Sequence, residues 1–182
     1  PTTSARSTTV RRLVAADVIA YRNLMLEAYE VHVDAFTSSA AEREALPMSW
    51  WERRLRTGPD ADEIVIGALE DDTLAGVVGL SFEPREKAKH KATLFGMYVP
   101  QVRRQHGLGH LLVMAALTHA RRRPGTRLVQ LTVTQGNVIA EALYRRCGFV
   151  PFGLEPFAVA VDGGYVSKVH MWCDLECPAL QS

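Results

Sequence analysis

The sequence is short of the features that mark specialised protein classes. It holds three cysteines, Cys147, Cys173 and Cys177, among 182 residues. The number is odd and two lie near the C-terminus, a pattern that suits neither a disulfide framework nor a four-ligand zinc site. Reduced thiols and a cytoplasmic setting are the expectation. Lysine is scarce: only Lys87, Lys89, Lys91 and Lys168 occur, and arginine carries the rest of the positive charge. An excess of one sign is also missing, since 21 basic residues stand against 20 acidic ones for a formal net charge of +1. That balance gives no electrostatic reason to expect nucleic acid or an anionic membrane as the main partner. No apolar run approaches the ~18 residues of a membrane-spanning helix. Residues 1–9 are small and polar, without the apolar stretch of a secretory signal. Internal repeats and low-complexity segments are absent.

What remains is ordinary for a globular protein: 47% hydrophobic and 23% charged residues. Disorder, collagen and coiled coil are thereby excluded. The length predicts a single domain over 1–182, with a flexible N-terminus at 1–9 and a C-terminal tail at 174–182. A first strand is expected at 10–14. Asp17 then caps a helix whose apolar face includes Tyr21, Met25 and Ala28. Residues 37–41 are rich in breakers. Ser49 reads as the N-cap of a second helix that Gly58-Pro59-Asp60 ends. The period then changes to that of strands, with a hairpin over 63–82 turning at Asp71-Asp72 and a third strand at 92–99 stopped by Pro100. Residues 107–122 and 137–147 have helical periodicity and flank a strand at 127–134. A strand from Gly148 to about Glu155 and a final hairpin over 159–172 complete an α/β layout with a mixed sheet. Both parallel crossovers fall in the second half, where right-handed connections are expected.

The segment joining the third of these strands to the next helix carries chemistry. Tyr98-Val99-Pro100 closes the strand, and Arg103-Arg104-Gln105-His106-Gly107-Leu108-Gly109-His110 makes a basic, glycine-containing turn into a helix. Helix N-termini present free N–H groups and a partial positive charge, and glycine lets a ligand approach the backbone closely. The turn is therefore a cradle for a pyrophosphate. It is not a Walker loop, which needs Gly-Lys-Ser/Thr, nor the three-glycine dinucleotide fingerprint.

The pattern Arg104-x-x-Gly107-x-Gly109 resembles the coenzyme-A-binding motif of the GNAT superfamily of N-acetyltransferases, Gln/Arg-x-x-Gly-x-Gly/Ala. A second motif follows: Asn137-x-x-Ala140-x-x-Leu143-Tyr144-x-x-x-Gly148-Phe149 is similar to that family's Asn-x-x-Ala-x-x-Leu-Tyr-x-x-x-Gly-Phe at every position. The resemblance covers about 63–172. It implies a GNAT-type mixed, mostly antiparallel sheet of six to seven strands, flanked by about four helices and splayed between the fourth and fifth strands. It implies acetyl-CoA as cosubstrate and no metal. The pantetheine arm would pair with the backbone of Met97, Tyr98 and Val99. Arg104, Gln105, His106, Gly107, Leu108, Gly109 and His110 would hold the pyrophosphate. Asn137 would hold the pantetheine arm, and Tyr144 would contact the thioester sulfur. Glycine at position 96, inside a strand, fits a bulge or close approach there. Asn137 and Tyr144 are seven apart, so they share one helix face about 10 Å apart.

The implied activity is N-acetyl transfer to a primary amine of a small molecule or peptide, by direct attack in a ternary complex. A lysine-type amine has a pKa of ~10.4, so neutralising it at pH 7 costs ~4.6 kcal/mol. Tyr144 is the expected acid for the departing thiolate, and a backbone N–H near Met97 the expected oxyanion donor. The base is open. Residues 92–95 and Thr132 offer no carboxylate where family members carry one. Glu27, Glu30, His32 and Glu155 remain candidates beside ordered water, which is favoured. The alternative activity is a catalytically silent coenzyme-A-binding module acting through protein interaction. A phosphate-binding domain for another nucleotide is disfavoured by the second motif. Of the adjacent Trp50 and Trp51, one is expected in the core and the other on a substrate wall. Lys87, Lys89, His90 and Lys91 form a basic loop that is either a solvated hairpin end or a contact to the coenzyme 3′-phosphate. The final hairpin offers an edge at which two copies can form a homodimer.

Overall fold

The computed structural model describes residues 7–176. Twelve elements follow in order: β1 (Thr8–Arg12), α1 (Val18–Val31), α2 (Ala40–Glu44), α3 (Met48–Arg53), β2 (Glu63–Glu70), β3 (Thr73–Phe82), β4 (Lys91–Tyr98), α4 (Leu108–Arg122), β5 (Leu128–Thr134), α5 (Val138–Arg146), β6 (Val150–Val161) and β7 (Gly164–Asp174). The strands form one seven-stranded sheet in the order β1-β2-β3-β4-β5-β7-β6. Neighbours are antiparallel except β4 and β5. The expected mixed, mostly antiparallel sheet is therefore found. Of the two crossovers, β4-α4-β5 joins ladder neighbours, whereas β5-α5-β6 steps over β7.

Alternation along the central strands feeds two cores, because successive side chains leave opposite faces of a strand. Ile64 and Ile66 of β2, with Val78 and Leu80 of β3, meet Leu108, Leu112, Ala116 and Leu117 of α4. Val65 and Val77 point the other way, toward Tyr21, Met25 and Ala28 of α1 and Trp51 of α3. Each fully buried leucine contributes about 1.5–3 kcal/mol of burial energy. The sheet is thus clamped from both faces, and its middle is rigid enough to hold a site. No helix among the described residues is long and apolar enough to cross a membrane.

Several boundaries differ from the expectation. The first strand starts at Thr8, so Thr8 and Thr9 belong to the sheet edge and not to a flexible terminus; residues 1–6 lie outside the described residues. At the other end Asp174 closes β7 and Leu175 is buried, while 177–182, with Cys177, lie outside the description. The breaker-rich stretch at 37–41 holds the start of α2. Its N-cap Ser39 accepts from the Glu42 N–H at 3.2 Å, and Glu42 returns the bond to the Ser39 N–H at 2.8 Å. That reciprocal box stabilises a helix too short for periodicity to reveal. α3 starts two residues early: Pro47, not Ser49, is its N-cap, and the fixed φ of proline suits an entry to a helix. β6 is continuous, where two segments were expected; its register slips between Glu155 and Val159. The Asp71-Asp72 turn has φ of 48° and 63°, the doubly positive conformation that matches strand twist in a two-residue hairpin.

Candidate active site

β4 and β5 pair only at Lys91–Leu128, Ala92–Val129 and Thr93–Gln130. Beyond that point they separate, as the family resemblance implies, and a cleft of about 940 Å³ opens between them. The cause is visible in β4. Phe95 faces Gly79 of β3 and Tyr98 faces Val77, so β4 carries one extra residue in that interval. Gly96 adopts a φ of 57° there, and such a bulge bends the strand that contains it. Gly79 makes room for the bend: a Cβ on it would sit 2.4 Å from the Phe95 ring.

The turn after β4 is a 3-10 segment, Gln101–His106, followed by Gly107 and α4. Gly107 has a φ of 71°, and a Cβ added to it would meet nothing within 4 Å. Space above its backbone is therefore open. Gly109 is small for another reason, since its Cβ would lie 3.0 Å from Leu143 and 3.2 Å from Met97. Arg104 donates through Nε to the Val99 carbonyl at 2.9 Å, and its tip lies 2.6 Å from His32 Nε2. Met97, Tyr98, Val99, Arg104, Gly107, Gly109, His110, Asn137 and Tyr144 all border the cleft. Leu108 puts its side chain in the core, leaving its main chain in the first turn of α4. Gln105 belongs to the turn.

His106 is placed differently from the expectation for its side chain, as is the neighbouring Arg103. Both bind Glu70 at the end of β2; His106 Nδ1 lies 3.0 Å from its carboxylate. The basic residues of the turn therefore do not gather in the cleft: Arg104 and His110 face it, while Arg103 and His106 anchor the turn from behind. Burial alone would raise the Glu70 carboxyl, but hydrogen bonds from His106 and Arg103 outweigh it and hold it below the usual range.

Tyr144 is 7% exposed and packs edge-on against Phe149. Its hydroxyl makes no hydrogen bond to any described residue and is not sealed off from the cleft. Burial pushes the phenol well above its ordinary pKa. Asn137 caps α5, its Oδ1 accepting from the Ala140 N–H at 3.2 Å, while its side-chain amide hydrogens make no hydrogen bond to any described residue. His110 Nδ1 lies 3.5 Å from the Cys147 thiol, which burial pushes up to about 11.

The candidate bases fare unevenly. Glu27 accepts from the Tyr98 hydroxyl at 2.8 Å, and burial together with that bond pushes Tyr98 up to about 12. Glu30 is exposed and does not border the cleft. His32 and Glu155 do border it. Burial and the charge of Arg104 depress His32, and Glu155 lies 2.8 Å from His170 Nε2. Thr132 stands in the wall without a carboxylate. Across the opening, Thr134 donates to the Asp34 carbonyl at 2.9 Å and Lys168 to the Ala35 carbonyl at 2.6 Å. These bonds tie the segment after α1 to β5 and β7. Trp51 is in the core, as expected of one tryptophan. Trp50 is not itself a wall residue; the Arg43 and Arg54 guanidiniums lie 4.5 and 4.2 Å from its ring centroid. Lys87, Lys89, His90 and Lys91 stand apart from the cleft.

A clamped sheet split between its two parallel strands, with a glycine turn at one mouth and a half-hidden tyrosine inside, defines the acyltransferase class of α/β fold. The acetyltransferase (GNAT) family model matches residues 25–149, and the chain belongs to that family, whose cosubstrate is acetyl-CoA. Solved structures agree in fold. A GNAT-family acetyltransferase from Streptococcus pneumoniae superposes with a TM-score of 0.82 at 22% identity, covering 92% of this chain and 99% of its own. The protein yncA from Salmonella typhimurium, solved with its cofactor acetyl-CoA, gives 0.77 at 19%, covering 97% and 98%. The ribosomal-protein-alanine N-acetyltransferase from Brucella melitensis gives 0.74 at 23%, covering 91% and 99%. No curated protein matches the sequence significantly.

Proposed function

We propose that the protein transfers the acetyl group of acetyl-CoA to a primary amine of a small molecule or peptide, by direct attack with both substrates bound. The observation that carries this reading is the Tyr144 hydroxyl: sheltered, protonated at neutral pH, and uncommitted to any described residue beside the strand split. A packing tyrosine would have its hydroxyl satisfied by the protein.

The residues present fit the coenzyme. The open space over Gly107 and the free N–H groups at the start of α4 suit a pyrophosphate, with Arg104 and His110 beside them. From Leu94 onward β4 has no ladder partner on its β5 side. Main-chain groups of Met97, Tyr98 and Val99 can therefore pair with the amides of a pantetheine arm. The Asn137 side-chain amide supports the same arm. A main-chain N–H at the Gly96–Met97 bulge serves as donor to the developing oxyanion. Tyr144 gives its proton to the thiolate as it leaves, which spares release of an anion into a poorly solvated cleft. With Glu27 committed to Tyr98, the ammonium proton departs through water, relayed past His32 or Glu155.

Calorimetric titration with acetyl-CoA, followed by a thiol-release assay over amino acids, polyamines, aminoglycosides and N-terminal peptides, tests this. Saturable coenzyme binding and amine-dependent thiol release are expected. Binding without release on any amine would favour a silent coenzyme-binding module; no binding would overturn both.

A further inference from the structure

The acceptor side of the cleft has its own chemistry, away from the glycine turn. Three cations border it there, Arg43, Arg54 and Lys168, beside the carboxylates of Asp34 and Glu155. Two of these cations are partnered. Lys168 donates to the Ala35 carbonyl, and Arg54 has Glu63 at 3.6 Å and the Tyr21 hydroxyl at 3.4 Å. Arg43 is not: its side chain has no ion pair and no hydrogen bond with any described residue. Its guanidinium is instead held by rings, 4.5 Å from the Trp50 centroid and 5.6 Å from that of Tyr29. Its Nε is buried without a partner, whereas its terminal nitrogens are not sealed. Arg43 is itself one of the residues that border the cleft.

Arg54 lies over the same Trp50 ring and over Phe95, 4.9 Å from that centroid. Phe95 directly precedes the Gly96 bulge. Two guanidiniums are thus seated on one indole, next to the reactive end of the cleft, and of the two only Arg54 has a carboxylate partner, Glu63. Bringing like charges together in a partly desolvated site is unfavourable unless an anion joins them. A guanidinium fixed by aromatic stacking is already ordered for the two parallel hydrogen bonds a carboxylate accepts.

We propose that Arg43, supported by Arg54, seats a carboxylate of the acceptor, so that the amine acetylated is a small amino-carboxylate and not a polyamine. This rests on the acyl-transfer reading above. Asp34 and Glu155, in the same wall, suit the ammonium end of such a zwitterion. Arg43 is a specificity residue here; it does not touch the reacting atoms.

The test compares α-amino acids with their own carboxamides and with spermidine, in the full-length chain with saturating acetyl-CoA, by thiol release. At least one amino acid is expected to exceed its carboxamide in kcat/KM by about tenfold or more, the scale of a charged hydrogen bond. Arg43→Gln is expected to abolish that ratio and Arg43→Lys to keep part of it. Equal rates for acid and carboxamide, spermidine as the best acceptor, no turnover of any amino acid, or a ratio that survives Arg43→Gln would each overturn the assignment. Acetyl-CoA affinity is measured by calorimetry on the same samples. Unchanged affinity in the variants reports an intact fold. Lack of coenzyme binding by the parent overturns the acyl-transfer reading itself, a result distinct from loss of carboxylate preference.

Discussion

The carboxylate of Glu70 lies 3.0 Å from Nδ1 of His106, and the two belong to segments 36 residues apart. Glu70 ends β2, and His106 ends the turn that leads into α4. With Arg103 on the same carboxylate, the turn is fastened from behind while its front faces the cleft.

Glu70 is therefore a positioning residue for the glycine turn. Glu70→Ala is expected to raise KM for acetyl-CoA about tenfold, the scale of losing a charged hydrogen-bond pair, and to leave kcat nearly unchanged. Glu70→Gln, which keeps the shape and one acceptor, is expected to recover part of the loss. Steady-state kinetics with varied acetyl-CoA separates this from general destabilisation, which would lower the active fraction and hence the apparent kcat. Equal effects on both constants would remove Glu70 from this role.

Tyr144→Phe is expected to lower kcat about a hundredfold, the usual scale for a positioned acid. Coenzyme affinity and melting temperature should scarcely move, because the hydroxyl has no protein partner to lose. The raised phenol pKa adds a pH signature. Activity that depends on protonated Tyr144 should persist through pH 10, where an ordinary tyrosine would already be half ionised. A fall centred near pH 9 would point to another acid.

Two glycines in the site predict opposite kinds of damage. Gly107→Ala meets no atom but must hold a φ of 71°, a strain of about 1 kcal/mol. It should fold and bind acetyl-CoA more weakly, since the new methyl fills the space over the turn. Gly79→Ala would place a methyl 2.4 Å from the Phe95 ring and cost about 1–3 kcal/mol as overpacking. Its effect should appear first in denaturant midpoint. A Gly79→Ala protein as stable as the parent would contradict the packing that supports the bulge.

These contrasts explain what the sequence disclosed. Gly96 was legible as a glycine inside a strand, and Gly107, Asn137 and Tyr144 through their places in the two motifs that resemble those of the GNAT family; the positive φ of Gly107 and the α5 cap made by Asn137 emerge only with the fold. Glu70 was not, because next to Asp71-Asp72 it reads as another turn acid, and only the fold brings His106 to it. α2 escaped because five residues cannot display a helical period, although Ser39 and Glu42 carried its capping signature. β6 runs through Pro151 and Pro156, where two segments were expected. At the sheet edge a missing N–H costs little, so the strand runs on. The Arg43–Trp50–Arg54 stack joins two short helices: Trp50 and Arg54 sit at i,i+4 spacing across α3 and its C-cap, but Arg43 comes from α2, and no local spacing places it there.

The histidines set the acid limit of the fold. His32 is depressed by burial and by Arg104, and His119 by burial and by Arg12 and Arg122. A depressed folded-state pKa means that the unfolded chain takes up the proton first. Their contribution is therefore complete above the unfolded value of about 6.5 and declines as pH falls below it. The depressed carboxyls of Asp17 and Glu70 start from 3.8 and 4.5, so their losses come at lower pH and do not overlap this window. Melting temperature is expected to drop by a few degrees between pH 7.5 and pH 5.5, and His32→Gln with His119→Gln to flatten that slope. Calorimetric scans of both proteins across this range decide the matter: an equal slope in the double variant would place the sensitivity elsewhere. A flat parent profile would mean that neither imidazole is held neutral by its arginine neighbours.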